Sequence, residues 1–195
     1  MRHLFVLLLL SLPTIGFTQT ISTVSSRWSD SFVEWDIFSA NTVADDEEAT
    51  EEAYGELKLR WLNLRDDFSE WTYELGGQRG TIRQKWKNDP TQWELRTYEG
   101  DVITMKAPWA NDVSEWRVTD NTLSLTLKSR WTNQFDEWLV EDARRGKFYL
   151  YTLRSGDPRD WAIEDNLNEE ISEPMKMPEQ IGRAGVKKRP VRKVW

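Results

Sequence analysis

Trp86-Lys87-Asn88-Asp89-Pro90-Thr91-Gln92-Trp93-Glu94-Leu95 is one copy of a pattern that recurs along this chain. Trp35, Trp71, Trp93, Trp116, Trp138 and Trp161 follow one another at intervals of 36, 22, 23, 22 and 23 residues. Five of them have a partner upstream: Trp28, Trp86, Trp109 and Trp131 lie seven residues back, and Trp61 lies ten back. A fixed period of this length marks an array of small supersecondary units, none of which buries its apolar face alone.

Each unit reads as a β-hairpin. Two positions after the second Trp the residue is Ile37, Tyr73, Leu95, Val118, Val140 or Ile163, whereas the position between is mostly polar, as at Asp36, Thr72, Glu94 and Arg117. Period two of this kind describes a half-buried strand. The approach to the first Trp alternates in the same way, as in Leu57/Leu59/Trp61 against Lys58/Arg60 and Ile82/Gln84/Trp86 against Arg83/Lys85. The two Trp then flank a six-residue loop and are expected to face each other as a cross-strand aromatic pair. Within the loop, Asn, Asp and Gly dominate the positions five and four before the second Trp, such as Asn88-Asp89 and Asn111-Asp112, and fit a turn in which short polar side chains bond their own backbone. Phe32, Phe68, Pro90, Val113, Phe135 or Pro158 follows and is placed to fold back as a lid. In the sixth copy Arg154 stands where the first Trp belongs, and is expected to stack on Trp161.

Short turn-like links join the hairpins: Gly76-Gly77, Glu99-Gly100-Asp101, Asp120-Asn121 and Ala143 to Gly146. Short links make sequential strands antiparallel neighbours. The reading is therefore all-β: an antiparallel meander of six Trp-flanked hairpins, about twelve strands, in a closed or nearly closed barrel. Its repeat core comprises Trp28, Trp35, Trp61, Trp71, Trp86, Trp93, Trp109, Trp116, Trp131, Trp138 and Trp161. A sandwich or an open sheet would hide the apolar face less evenly. The strand Phe148-Tyr149-Leu150-Tyr151-Thr152-Leu153 is apolar on both faces, so something should pack on its outside.

The 195 residues divide into a secretory leader (1–18), the six-hairpin domain (19–165) with an acidic loop (39–54), and a charged C-terminal tail (166–195) that is partly disordered or packed on the sheet. Arg2 and His3, the apolar run Leu4 to Leu12, Pro13 and the small residues Gly16 and Thr18 carry the leader reading, which implies export to the periplasm or the exterior. The outward positions are Lys, Arg, Glu and Thr, unlike the lipid-facing band of a membrane barrel.

The chain has no Cys, and its one His, His3, lies in the leader. A mature chain without either lacks the usual general base and the thiol and imidazole ligands of transition metals, and no cofactor is implied. The formal charge of −7 argues against nucleic acid as a partner for the folded body. The loop acids lack the convergence of a calcium site, and no pair departs from the repeat as a glycosidase pair would. In period the repeats resemble MORN hairpins and in paired aromatics choline-binding repeats, but the Tyr-Glu-Gly, Gly-x-Gly and choline-repeat motifs are absent. The expectation is an exported, non-catalytic structural or binding module with a possible glycan or envelope partner. Its rivals are carbohydrate recognition by exposed Trp and carriage of an apolar molecule inside the barrel.

Overall fold

The computed structural model describes residues 20–40, 50–62 and 67–167. They form twelve strands: β1 (Thr20–Trp28), β2 (Ser31–Ala40), β3 (Glu51–Leu59), β4 (Glu70–Leu75), β5 (Gln78–Gln84), β6 (Gln92–Thr97), β7 (Val102–Lys106), β8 (Glu115–Thr119), β9 (Ser124–Trp131), β10 (Gln134–Asp142), β11 (Gly146–Arg154) and β12 (Asp157–Leu167). Every strand pairs antiparallel with its sequence neighbours, and β1 pairs with β12 through Thr23, Val24 and Ser25. The result is a closed meander barrel with no free sheet edge, as the repeat predicts. No helix among the described residues is long and apolar enough to cross a membrane.

The expected leader lies outside the described residues, as do 41–49 of the acidic segment and 168–195 of the tail. The margins of those segments belong to the barrel. Ser39 and Ala40 end β2, Glu51 to Tyr54 open β3, and Asn166 and Leu167 end β12. Glu51 accepts hydrogen bonds from the hydroxyls of Ser22, at 3.0 Å, and Thr23, so this acid joins β3 to β1.

Period two sets which residues fill the interior. The second Trp of each unit forms one layer, and Ile37, Tyr73, Leu95, Val118, Val140 and Ile163 form the next, all buried in one contiguous core. The odd strands fill the same layers with Leu57, Leu59, Ile82, Ile103, Met105, Leu125, Leu127, Phe148 and Leu150. Tyr73 is the bulkiest member of its layer, and Gly80 stands opposite it on β5. A Cβ on Gly80 would lie 2.2 Å from the Arg96 carbonyl oxygen and 2.6 Å from the Tyr73 ring, so only glycine admits that ring.

The upstream Trp do not join this core. Trp28, Trp61, Trp86, Trp109 and Trp131 are exposed, which corrects the reading of all eleven as core. The reason is register. The second Trp faces the residue two before the expected partner: Trp35 faces Ser26, Trp71 Leu59, Trp93 Gln84 and Trp138 Ser129. The first Trp therefore stands beyond the last inward layer. In β1/β2 and β9/β10 the register also shifts within this stretch, and the strands run on to two-residue turns, with Trp28 opposite Ser31 and Trp131 opposite Gln134. The sixth copy follows the same rule: Trp161 faces Thr152, and Arg154 pairs with Asp157, so Arg154 is not the partner of Trp161.

Outside, charges pair across strands and along them. Glu94 receives Arg83 at 3.0 Å and Arg96 at 2.6 Å, and Arg27 reaches Glu34 at 3.1 Å and Glu56 at 3.2 Å. The Arg27 pairs are partly exposed and contribute little each, whereas Glu94 is buried beneath its two arginines. On the doubly apolar strand, Tyr149 and Tyr151 pack on each other outside the barrel with ring centroids 4.9 Å apart.

Burial divides the indoles into two energetic classes. Trp71→Ala, at a fully buried position (0% exposed), should cost about 3–5 kcal/mol as a core deletion. Trp86→Ala, at a position 58% exposed, should stay within about 1 kcal/mol. Urea unfolding of both variants measures the contrast, and equal losses would contradict the layer assignment.

Candidate functional site

The loops joining β1 to β2, β3 to β4, β5 to β6, β7 to β8, β9 to β10 and β11 to β12 all lie at one end of the barrel, because the strands alternate in direction. Their shape comes from the buried indoles beneath them. Each Nε1–H donates to the carbonyl three residues earlier: Trp35 to Phe32 at 3.0 Å, Trp71 to Phe68 at 3.1 Å, Trp93 to Pro90 at 2.9 Å, Trp116 to Val113 at 2.9 Å, Trp138 to Phe135 at 3.0 Å and Trp161 to Pro158 at 2.9 Å. A buried indole N–H needs such a partner, and the loop bends back to supply it. In three copies the residue carrying that carbonyl also covers the second Trp. Phe32 and Phe135 stack on Trp35 and Trp138 at 5.8 and 5.9 Å, and Phe68 lies tilted on Trp71 at 6.1 Å.

The expected turn chemistry holds in four loops. Asp67, Asp89, Asp112 and Asp157 each accept the backbone N–H two residues on, at 2.8 to 3.2 Å. Asn88 and Asn133 adopt the left-handed backbone one position earlier in their loops, at φ 66° and 59°. These carboxylates are spent on their own turns.

On this frame the upstream Trp make an interrupted ring. Trp28, Trp61, Trp86, Trp109 and Trp131 come from five successive hairpins, with Leu62 and Leu153 exposed on the same rim. Of the exposed large apolar side chains among the described residues, only Tyr98 belongs to the other end of the barrel.

Three members of the ring are clasped. The indole N–H of Trp28 donates to Glu34 at 3.2 Å, that of Trp61 to Glu70 at 2.9 Å, and that of Trp131 to Glu137 at 3.2 Å. In each case the residue before the indole is an Arg that pairs with the same carboxylate: Arg27 with Glu34, Arg60 with Glu70 and Arg130 with Glu137. Arg60 and Arg130 also lie over their indoles, 5.1 and 5.3 Å from the ring centroids. The Tyr149 hydroxyl adds a 2.6 Å bond to Glu137. That bond, with help from the Trp131 indole and Arg130, holds the Glu137 carboxyl below its ordinary value against the opposing effect of burial.

Alternation along the strand assigns these indoles to the core and does not reveal the clasp. Its signal is present nevertheless: Arg immediately before the first Trp and Glu immediately before the second occur together in the first, second and fifth copies.

A second concavity lies near the opposite end. It measures about 350 Å³ and is lined by Glu56, Thr72, Tyr73, Glu74, Arg79 and Tyr98. An Arg79–Glu74 ion pair at 2.8 Å occupies its wall. Burial, with Glu99 and Asp101 nearby, pushes the Tyr73 hydroxyl up to about 12, so it stays protonated. Among the described residues, no three His, Cys, Asp or Glu side chains are grouped to hold a metal ion.

No family model matches this chain, and neither a curated protein nor a solved structure is found to be similar to it.

The clasp has a pH signature. Because its carboxyl titrates below the ordinary value of 4.5, Glu137 contributes stability above that value and loses it as the pH falls through the lower folded one. Glu137→Gln should therefore lower the melting temperature most at neutral pH. The gap to wild type should shrink as the solution is acidified below about 4.5. Thermal unfolding at a series of pH values checks this, and a gap that widens in acid would refute it.

Proposed function

We propose that the protein is an exported, non-catalytic binding module that recognises a carbohydrate with the indoles of its loop rim. The observation that carries this reading is the segregation of the tryptophans into six that fill the barrel and five exposed together at one end. Exposed apolar side chains gathered on one face mark interaction surfaces, and flat indole faces suit the C–H faces of pyranose rings.

The surroundings favour a sugar over a lipid surface. Each rim hairpin carries a carboxylate in its loop or just after it within the described residues (Asp30, Asp67, Asp89, Asp112, Asp136 and Asp157), which disfavours anionic headgroups. In sequence the indoles are interleaved with Asn, Asp and Ser. Carriage of an apolar molecule inside the barrel has weaker support, since six indoles and their aliphatic neighbours occupy the interior as one core. The non-catalytic reading rests on the residues available: no Cys, a single His at His3, and clasp acids held by Arg.

Tryptophan fluorescence tests the proposal. Acrylamide quenching should resolve a protected and an accessible population. A soluble glycan, drawn from a panel of β- and α-linked oligosaccharides, should shield the accessible one. Accessible indoles that no member of the panel protects would overturn the carbohydrate reading.

A further inference from the structure

The five rim indoles are not equivalent. Trp28, Trp61 and Trp131 have spent their N–H groups on Glu34, Glu70 and Glu137. Among the described residues Trp86 and Trp109 have no such bond and no cation over either ring, and they are the most exposed of the five, at 58% and 69%. Their sequence positions explain why. Lys85 and Pro108 precede them where the clasped copies have Arg. The side chains in the acceptor positions make other contacts: the Gln92 amide nitrogen donates to Asp89 at 3.2 Å, and Glu115 pairs with Lys128 at 3.1 Å.

These two indoles are also neighbours. Trp86 belongs to the loop between β5 and β6, Trp109 to the loop between β7 and β8, and β6 pairs with β7. Equivalent points on adjacent hairpins are two strand spacings apart, about 10 Å. That distance is close to the length of two linked pyranose rings. Two residues beyond each indole stands an exposed asparagine, Asn88 or Asn111, whose side chain makes no hydrogen bond among the described residues. The charges of the two loops cancel, Lys85 and Lys87 against Asp89 and Asp112.

We infer that Trp86 and Trp109, with Asn88 and Asn111, form the primary binding site for a neutral pyranose oligosaccharide, and that Trp28, Trp61 and Trp131 are structural clasps of the rim. The inference rests on the carbohydrate reading above and narrows it to one arc of the ring. Each free indole stacks on one sugar ring, each free N–H donates to a hydroxyl, and the paired amides supply both donors and acceptors.

Indole N–H signals of uniformly 15N-labelled protein, assigned with single Trp→Phe variants, provide the test. The titrants are soluble oligosaccharides of β-1,4-linked glucose, β-1,4-linked N-acetylglucosamine and α-1,4-linked glucose. At least one should shift the Trp86 and Trp109 signals and leave those of Trp28, Trp61 and Trp131 in place. Trp86→Ala and Trp109→Ala should each weaken that binding by about tenfold or more with little change in melting temperature. Trp61→Ala and Trp131→Ala should show the reverse pattern. Shifts confined to the clasped indoles would overturn this assignment while leaving carbohydrate recognition standing. Rim signals unmoved by every titrant would overturn both.

Discussion

Each buried indole needs a partner for its N–H, and all six find it in the carbonyl of the residue three positions earlier, at 2.9 to 3.1 Å. That one bond closes the loop onto the mouth of the barrel. It brings Phe32, Phe68 or Phe135 over the indole face and leaves the preceding Asp free to organise its turn. The carbonyl of the next loop residue is then available to the neighbouring hairpin: Ser69 accepts from Gln84, Thr91 from Ala107 and Ser114 from Ser129, at 2.8 to 2.9 Å. The interaction inside each unit thereby sets the contact between units. An apolar residue of similar size would fill the layer without fixing the loop, which accounts for tryptophan recurring where leucine would bury well.

The parts of the fold readable from the chain were those governed by period two and by turn chemistry. Ile37, Tyr73, Leu95, Val118, Val140 and Ile163 identify the inward face wherever they occur, and Asp89 and Asp112 announce their turns. The reading failed at the first Trp because alternation was followed one step too far. Trp61 is in phase with Leu57 and Leu59, but Leu59 already faces Trp71, and the barrel ends there. Phase along one strand carries no information about where the partner strand stops. Small or polar residues opposite the buried indole, such as Ser26, Gln84 and Ser129, were the better clue, because a large ring needs space across from it.

The candidate site was legible only as a departure from the repeat. The second Trp, present in all six copies, serves the barrel, whereas the first Trp and its neighbours differ between copies at the rim. Where Arg and Glu accompany the first Trp, its ring is held against the protein. Where Lys85 or Pro108 replaces the Arg, the ring is more exposed. A repeat of this kind separates two demands, since the second Trp carries stability and the first can vary without loosening the core. The outer ion pairs such as Arg83–Glu94–Arg96 belong to neither role; there the two arginines cover a buried carboxylate on the outside of the barrel.

The closure of the barrel has a kinetic side. Eleven of the twelve strand pairings join sequence neighbours, and the remaining one, β1 with β12, joins Thr23, Val24 and Ser25 to residues far along the chain. Local pairings form with little loss of loop entropy, whereas that seam must wait for the whole ribbon to curl. Until it does, β1 and β12 are bare edges, and each could accept the complementary edge of another molecule. Oligomers made by exchange at this seam are therefore the natural misassembly of the chain, and dilution during refolding is the natural remedy.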